Sequence, residues 1–371
     1  MAPPSSPEAA TLAAAAAAGA QPRRIAVFRA LMLGDLLCAT PALRALRHAW
    51  PDARITLIGQ PWARSLAARL HTVDYFVAFP GWPGLPESRS APAPALRRWL
   101  GARRTERHDW AVQLHGSGER SNALVAAMGA GQVFGFAPQA AASGRCARYI
   151  AWPRSGSEVE RLLALTDAIG APRRGSQLDF PLRDGDRDAA EPLAAPLRGQ
   201  RFAILHPGSQ LASRRWPAER FAAVADALAG DGLAIVLTGS PAEAPLTRAV
   251  AAAMRAPCLD LTGRTSLWEL GALVEWATQV VCNDTGISHI AAALGTPSVV
   301  VANGSDVSRW APADKQRHRV LWHDLPCRPC SHDHCPHGQA CAQAVPVQAV
   351  AQQSLRLLRG ATLQAQPELA S

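Results

Sequence analysis

Lysine is almost absent from this sequence, because Lys315 is the only one among 38 lysine and arginine residues. Any mechanism that needs a lysine is therefore limited to one position. The remaining positive charge lies on arginine, and the formal net charge of the chain is +9. A basic chain favours anionic partners such as phosphorylated lipid, an anionic membrane or nucleic acid, but the charge alone does not choose among them.

Long apolar stretches are also missing. No window holds about 18 uninterrupted apolar residues, so the sequence contains no evident transmembrane helix. The first 22 residues are rich in Pro, Ser and Ala, and Arg23 and Arg24 follow the alanine run at 13–18, whereas a signal peptide begins with basic residues. We therefore expect residues 1–22 to be a disordered tail, with a weak helix as the alternative, and the protein to stay in the cytoplasm.

Short apolar segments of β type alternate with segments of helical period along most of the 371 residues. The predicted strands are residues 24–28, 54–58, 75–79, 110–114, 201–205, 233–238, 279–282 and 298–302. Such alternation predicts an α/β protein whose parallel sheets are covered by helices on both faces. The length suits two domains better than one.

A polar stretch near residues 182–200, rich in Pro, Asp and Gly, separates the two sets of strands. We expect a Rossmann-like domain at 23–181, a second one at 200–345, and a C-terminal helix and tail at 346–371. Ligands of doubly wound sheets bind beyond the carboxyl ends of the strands. Two such domains facing a central cleft can hold a donor on one wall and an acceptor on the other.

The segment 281–295 passes from a strand directly into a helix. Asp284 or Thr285 can cap that helix, and Gly286 lets a ligand approach its first turn. Free backbone N–H groups and the helix dipole then suit a phosphate. Ordinary N-capping is the alternative, and His289 can either face the phosphate or pack in the core.

Two further loops follow strands of the second set. His206-Pro207-Gly208-Ser209 is a small-residue loop typical of a nucleotide pocket, and the nearby pair Arg214-Arg215 can neutralise a diphosphate or form a solvated basic turn. Glu243, after the strand at 233–238, can accept hydrogen bonds from ribose hydroxyls or can simply favour a helix N-terminus.

The first strand leads into a loop that contains Gly34 and Asp35. Thr40-Pro41 is typical of an N-cap followed by the first helical residue. Asp35 lies among Leu33, Leu36 and Leu37, where burial of a lone carboxylate is costly and would raise its basicity. We therefore predict that Asp35 is a general base.

These stretches, in this order, resemble glycosyltransferase family 9, the ADP-heptose:lipopolysaccharide heptosyltransferases. The resemblance runs from about residue 23 to about residue 350. The matching motifs are residues 34–35 running into 41–47, residues 51–57, residues 206–208 with 215–217, and residues 283–286 with His289.

The resemblance implies a GT-B fold and direct displacement at the anomeric carbon of an ADP-sugar, with inversion and without a required cofactor. It matches Asp35 to the catalytic base. The expected donor-binding residues are Gly208, Ser209, Arg215, Glu243, Asp284, Thr285, Gly286 and His289, and the expected acceptor-side residues are Gly34, His115 and Arg120. Arg215 departs from the family, which usually has a lysine there; arginine keeps the charge but changes reach and geometry.

The cysteines near the C-terminus follow the pattern Cys327-x2-Cys330-x4-Cys335-x5-Cys341 and have histidines around them. Four thiols at short spacing can hold a structural Zn or Fe ion, and in a cytoplasmic protein metal is favoured over disulfides. Only the first pair has the spacing of a metal knuckle. Reduced structural thiols are the other interpretation, and disulfides are a third.

The leading hypothesis is transfer of heptose to a phosphorylated, lipid-linked core oligosaccharide, with peripheral contact at the inner membrane. One alternative is a protein O-heptosyltransferase that acts on an autotransporter adhesin. Another is a nucleotide-sugar-binding protein without catalysis, against which the retained Asp35 argues. Nucleic acid is not an expected partner, because no basic stripe with interleaved aromatic residues occurs.

Overall fold

The computed structural model describes residues 21–85, 90–139, 146–197 and 199–364. The chain divides into two compact units, unit 1 at Met1–Pro181 and unit 2 at Leu182–Ser371. Most of the expected disordered tail, residues 1–20, lies outside the described residues, as do residues 365–371 of the expected C-terminal tail.

Unit 1 is built on one six-stranded sheet in which every pairing is parallel. Its strands are β1 (Arg24–Phe28), β2 (Arg54–Gly59), β3 (Tyr75–Ala78), β4 (Trp110–Gln113), β5 (Gln132–Ala137) and β6 (Ala147–Ala151). They lie in the order β3-β2-β1-β4-β5-β6. The helices are α1 (Leu33–Ala49), α2 (Arg64–Ala67), α3 (Ala93–Thr105), α4 (Asn122–Ala127) and α5 (Glu158–Ala168). The chain reverses direction across the sheet between β1 and β4, which makes this pair the switch point where doubly wound folds bind ligands.

Unit 2 repeats the same architecture. Its strands are β7 (Phe202–His206), β8 (Ala234–Leu237), β9 (Cys258–Asp260), β10 (Gln279–Asn283), β11 (Ser298–Val301) and β12 (His318–Leu321). They are all parallel and lie in the order β12-β11-β10-β7-β8-β9, so the switch point lies between β7 and β10. The helices are α6 (Asp184–Ala194), α7 (Ala218–Gly230), α8 (Ala244–Ala253), α9 (Leu267–Trp276), α10 (Gly286–Leu294), α11 (Val307–Trp310), α12 (Ala340–Gln343) and α13 (Val347–Gln364).

The eight predicted strands are confirmed to within one or two residues, but each sheet has two more, which are β5 and β6 in unit 1 and β9 and β12 in unit 2. Central strands such as β1 and β10 are buried on both faces and therefore form uninterrupted apolar runs. The edge strands β6 and β12 contain arginines and are mostly half-buried, and β9 has three residues only. The apolar pattern of these three strands is too short or too interrupted for a strand to be predicted from the sequence.

The prediction that a helix begins at Thr40-Pro41 is wrong. Helix α1 begins at Leu33 and contains Pro41 in its interior, where a nearly continuous apolar face is buried. Proline has no N–H to donate to the carbonyl one turn earlier. The Leu37 carbonyl instead accepts a hydrogen bond from Thr40 Oγ1 at 2.7 Å, so the helix continues through the proline.

The polar stretch near residues 182–200 contains α6. Arg187 of α6 makes a bidentate ion pair with Glu275 of α9, at 2.7 and 2.8 Å. At the other end of unit 2, α13 packs on α7 and on the sheet. Among the described residues, no helix is long and apolar enough to cross a membrane.

A buried histidine at the edge of the unit 2 sheet predicts an acid-sensitive contribution to stability. His318 is 4% exposed, and its Nδ1 lies 2.9 Å from Ser298 Oγ. Burial lowers the pKa of His318 to about 4, although the Asp314 carboxylate opposes the shift. The unfolded chain takes up this proton near pH 6.5 and the native state does not, so the free energy of unfolding falls between pH 6.5 and 4, by roughly 3 kcal/mol.

His318→Gln should flatten this part of the curve of urea-unfolding free energy against pH. The exposed residue His48 provides the control, since His48→Gln should leave the slope unchanged. Equal slopes in wild-type protein and His318→Gln would contradict the assignment.

Candidate functional site

The buried side chain of Asn283 joins the loops at the switch point of unit 2. Asn283 ends β10 and is fully buried. Its Oδ1 accepts a hydrogen bond from the Trp216 backbone N–H at 3.0 Å, and its Nδ2 donates to the Pro207 carbonyl at 2.7 Å. Asn303, beyond β11, donates to the same Oδ1 at 3.4 Å. One side chain therefore fixes the loops that follow three neighbouring strands.

The N-terminus of α10 lies directly beyond this asparagine and has no side-chain cap. The N-cap residue Thr285 is extended, with φ −153° and ψ 177°, and makes no capping hydrogen bond through its side chain. Of the two residues that could cap this helix, Thr285 occupies the N-cap position without capping it through its side chain. Asp284, Thr285 and Gly286 are half-buried, so the first turn is accessible. This geometry suits an anion at the positive end of the helix.

His289 lies one turn into α10 and is 5% exposed. Its ring packs edge-on against Trp310, with 6.2 Å between centroids. The sequence left open whether His289 faces a phosphate or packs in the core, and the observed contact is a packing contact.

Gly208 and Glu243 approach each other at the ends of β7 and β8. A Cβ atom added at Gly208 would collide with Glu243 Oε1, so only glycine allows this approach. Glu243 Oε2 accepts hydrogen bonds from the Ser240 backbone N–H and hydroxyl, both at 2.8 Å. Beside them, His206 Nδ1 lies 3.0 Å from Thr238 Oγ1. Burial lowers the pKa of His206, and the Glu243 carboxylate opposes this shift only in part. The lowered pKa favours a neutral His206 ring.

The two arginines expected at a diphosphate have different surroundings. Arg214 Nη2 donates to the Cys330 carbonyl at 2.8 Å. Arg215 Nε donates to the Ser209 carbonyl at 3.0 Å, which links two of the predicted donor residues. Within the described part of the chain, the terminal nitrogens of Arg215 have no protein partner. Arg215 therefore leaves both terminal nitrogens available to a ligand, whereas one terminal nitrogen of Arg214 is bonded to the Cys330 carbonyl.

The tentative metal ligands Cys327, Cys330, Cys335 and Cys341 do not form a ligand cluster. No group of three or more His, Cys, Asp or Glu side chains in the described ranges is arranged to hold a metal ion, and all eight cysteines are free thiols. Cys341 is buried at α12, and burial raises the pKa of its thiol. The Cys335 sulfur accepts a hydrogen bond from the nearby His337 backbone N–H at 3.4 Å. Cys330 and Cys341 lie near each other beside Gly304, whereas the Cys335 sulfur is bonded locally, so the four thiols do not share one site.

At the switch point of unit 1, the fully buried side chain of Arg29 holds Asp35. Arg29 Nη2 donates to the Asp35 carbonyl at 2.9 Å and lies 3.4 Å from Asp35 Oδ1. The same guanidinium pairs with the buried Glu158 at 2.9 Å and donates to the Leu114 carbonyl. A buried arginine needs such partners because desolvation of the charge is costly. Asp35 is therefore not the isolated carboxylate that its leucine neighbours suggested.

The predicted acceptor-side residues are only partly brought together. Gly34 and Asp35 both lie in the first turn of α1, and the Asp35 side chain is 19% exposed. His115 follows β4, stacks on Phe28 and accepts the Ala30 N–H at 3.3 Å. Arg120 is exposed and reaches the Gly84 carbonyl at 3.4 Å instead.

Two organising residues, Asn283 and Arg29, were given no role by the sequence interpretation. Each is a polar residue at the carboxyl end of a buried central strand. Because a polar side chain at such a position must find buried partners, this placement was an available signal.

Asn283 and Gln279 provide a matched pair of buried amides on β10. Asn283→Leu should lower the free energy of unfolding by about 2–4 kcal/mol, since the Trp216 N–H and the Pro207 carbonyl lose their partner. Gln279 is also fully buried, but neither of its amide atoms has a hydrogen-bond partner among the described residues. Gln279→Met should therefore be neutral or stabilising. Urea unfolding followed by tryptophan fluorescence measures both, and equal losses would refute the role assigned to Asn283.

Comparison with known proteins identifies the family. The model of the family "Glycosyltransferase family 9 (heptosyltransferase)" matches residues 96–341. Lipopolysaccharide heptosyltransferase 2 of Escherichia coli K12 is 27% identical over 322 residues, covering 80% of this chain and 87% of the relative.

Two solved structures share the fold. One is the glycosyl transferase family 9 protein from Veillonella parvula, with a TM-score of 0.75, 20% identity, and coverage of 91% of this chain and 98% of that one. The other is E. coli ADP-heptose lps heptosyltransferase II, with a TM-score of 0.70, 21% identity, and coverage of 91% and 99%. They confirm the predicted α/β fold of the GT-B class with two Rossmann-like units. The chain belongs to glycosyltransferase family 9, the heptosyltransferase family, and is a glycosyltransferase.

Proposed function

We propose that this enzyme is an inverting heptosyltransferase that transfers heptose from ADP-heptose to the core oligosaccharide of a lipopolysaccharide acceptor. Unit 2 binds the nucleotide sugar and unit 1 binds the acceptor. The observation that carries the proposal is the accessible, uncapped N-terminus of α10 at the switch point of unit 2. The relatives, which are lipopolysaccharide heptosyltransferases, support the choice of sugar and acceptor.

The donor diphosphate binds at residues 284–286 and is approached by Arg215. Each contact between an anion and an exposed helix end stabilises by about 0.3–1 kcal/mol, so several backbone N–H groups and a cation must act together. Arg215 supplies that cation because its terminal nitrogens have no partner in the described chain, whereas its Nε is anchored on Ser209. Gly208, Ser209 and Glu243 line the nucleoside side, with Glu243 Oε1 facing the ribose. His289 supports α10 through its contact with Trp310.

Asp35 acts as the general base on the acceptor. It removes a proton from the acceptor hydroxyl, whose oxygen attacks the anomeric carbon while the bond from that carbon to the ADP oxygen breaks. Arg29 holds Asp35 in place through its carbonyl and carboxylate. The charge that develops on the departing diphosphate is stabilised by the α10 N-terminus and Arg215, so no cofactor is required for the step.

The acceptor is a phosphorylated, lipid-linked oligosaccharide that the enzyme reaches from the cytoplasmic side of the inner membrane. The net charge of +9 supports an anionic acceptor and peripheral contact with an anionic surface. Gly34, His115 and Arg120 form the acceptor side in this proposal. Arg120 is exposed and is the cation of this set that can meet an acceptor phosphate.

The test is an assay of purified enzyme with ADP-heptose and extracted lipid A–core acceptors that differ in core length, followed by ADP release and product mass. Wild-type protein should release ADP only with acceptor and add one heptose mass. Asp35→Asn should lower kcat by a factor of about 10²–10⁴, because the general base is lost, and should leave ADP affinity unchanged. Asp52→Asn, at an exposed position in unit 1, is the matched control and should retain full activity.

The outcomes separate the parts of the proposal. Intact ADP-heptose binding without transfer to any core acceptor would overturn the lipopolysaccharide assignment and favour a protein acceptor. Full activity of Asp35→Asn would overturn the assignment of the base. Absence of ADP-heptose binding would overturn the donor site itself.

A further inference from the structure

The thiol-rich segment, residues 327–341, is held in place by very little of the core. Most of its residues are exposed or half-buried, and regular structure appears only where α12 begins at Ala340. A segment of this kind adopts one conformation only if specific hydrogen bonds fix it. Its hydrogen bonds therefore indicate which part of the protein it serves.

Those bonds converge on the arginine loop, residues 211–215, which precedes α7. Three consecutive residues of the loop make four of these bonds. Gln339 Nε2 donates to the Ala212 carbonyl at 3.0 Å. The loop itself donates the other three: the Ser213 N–H to the Asp333 carbonyl at 3.0 Å, the Ser213 hydroxyl to the His332 carbonyl, and Arg214 Nη2 to the Cys330 carbonyl at 2.8 Å. The arginine loop is thus fixed from outside by the thiol-rich segment, and from inside by Asn283 at Trp216.

The thiol-rich segment is anchored a second time, on the loop after β11. The Cys330 N–H donates to the Gly304 carbonyl at 2.8 Å, and Arg328 Nη2 donates to the Ser305 carbonyl at 2.9 Å. Gly304 has a φ of +67°, and a Cβ added there would lie 2.7 Å from Cys330 Sγ. The Cys330 sulfur therefore packs against the Gly304 backbone, and an enlarged side chain at residue 330 would displace that loop.

Arg215 is the residue that this arrangement positions. Its backbone N–H donates to the Ala212 carbonyl at 3.2 Å, and Ala212 is itself bonded to Gln339. The direction of the Arg215 guanidinium thus depends on a loop that the thiol-rich segment holds in place.

We propose that the thiol-rich segment is a positioning element of the nucleotide-sugar site, which holds the arginine loop so that Arg215 meets the donor diphosphate and which couples the environment of Cys330 to donor occupancy. This rests on the proposed donor site. Coupling free energies are reciprocal: if bound nucleotide restrains the loop and with it Cys330, then modification of Cys330 weakens nucleotide binding by the same factor.

The first experiment separates positioning from general stability. Arg214→Met removes the bond to the Cys330 carbonyl and should raise the KM for the ADP-sugar about tenfold, as expected for loss of one charged hydrogen bond, with the acceptor KM and kcat nearly unchanged. Arg214→Lys should recover most of the loss, because an ammonium still donates to that carbonyl. Arg220→Met is the control, since it removes an Arg-to-carbonyl bond to Val345, outside the arginine loop.

The second experiment measures alkylation of individual cysteines by iodoacetamide in the full-length protein, by peptide mass spectrometry. The thiolate attacks the methylene carbon, a carbon–sulfur bond forms and iodide leaves. Saturating ADP should slow alkylation at Cys330 about five- to tenfold, while Cys146, an exposed thiol of unit 1, should react at an unchanged rate. In Arg214→Met the protection at Cys330 should be largely lost.

Calorimetric measurement of ADP binding on the same samples distinguishes failure of the positioning role from failure of the proposed donor site. If ADP binds and the alkylation rate at Cys330 stays the same, the positioning role is overturned and the donor site stands. A kcat loss without a change in donor KM for Arg214→Met would also overturn it. If ADP does not bind at all, the proposed donor site is overturned, and the positioning role is overturned with it.

Discussion

The buried amide of Asn283 is the interaction on which the arrangement of unit 2 depends. An asparagine with no solvent exposure is stabilised when both amide atoms have partners inside the protein, and those of Asn283 bond to backbone groups at the two ends of the connection between β7 and α7. That connection contains the small-residue loop after β7 and the arginine loop. The same residue precedes the N-terminus of α10, so the proposed anion site and its flanking loops share one fixed point.

In unit 1 a buried charged side chain, that of Arg29, takes the place that the buried amide has in unit 2. Arg29 follows β1 as Asn283 ends β10, and both lie at the switch point of a sheet with the same strand order. A buried guanidinium demands a carboxylate and carbonyl partners, and here these are Glu158, Leu114 and Asp35. Removal of Glu158 would leave the charge uncompensated. The order of the Asp35 turn is thus linked to the buried pair as well as to the apolar face of α1.

Predictions from the sequence succeeded where burial imposes a simple pattern and failed where it does not. Central strands such as β1 and β10, and helices such as α9, followed from continuous or periodic apolar residues. The edge strands β6 and β12 were missed because half-buried positions tolerate arginine. Pro41 was misinterpreted because a side-chain hydroxyl, Thr40 Oγ1, takes the place of the missing backbone bond. The four cysteines suggested a metal site, but spacing along the chain does not fix where thiols lie in space.

The sequence by itself determined the α/β class, the central strands, the family resemblance, and the placement of Asp35 and of residues 284–286 just beyond strand ends. These features follow from short-range patterns, since period, capping residues and glycine positions act over a few residues. Only the tertiary structure decided that Asp35 lies beside a buried arginine. It also decided that both terminal nitrogens of Arg215 stay available within the described chain, and that the thiol-rich segment bonds to the arginine loop. The bonds of that segment join residues 116 and 127 positions apart in sequence, and their acceptors are backbone carbonyls, which every residue carries and no sequence pattern distinguishes.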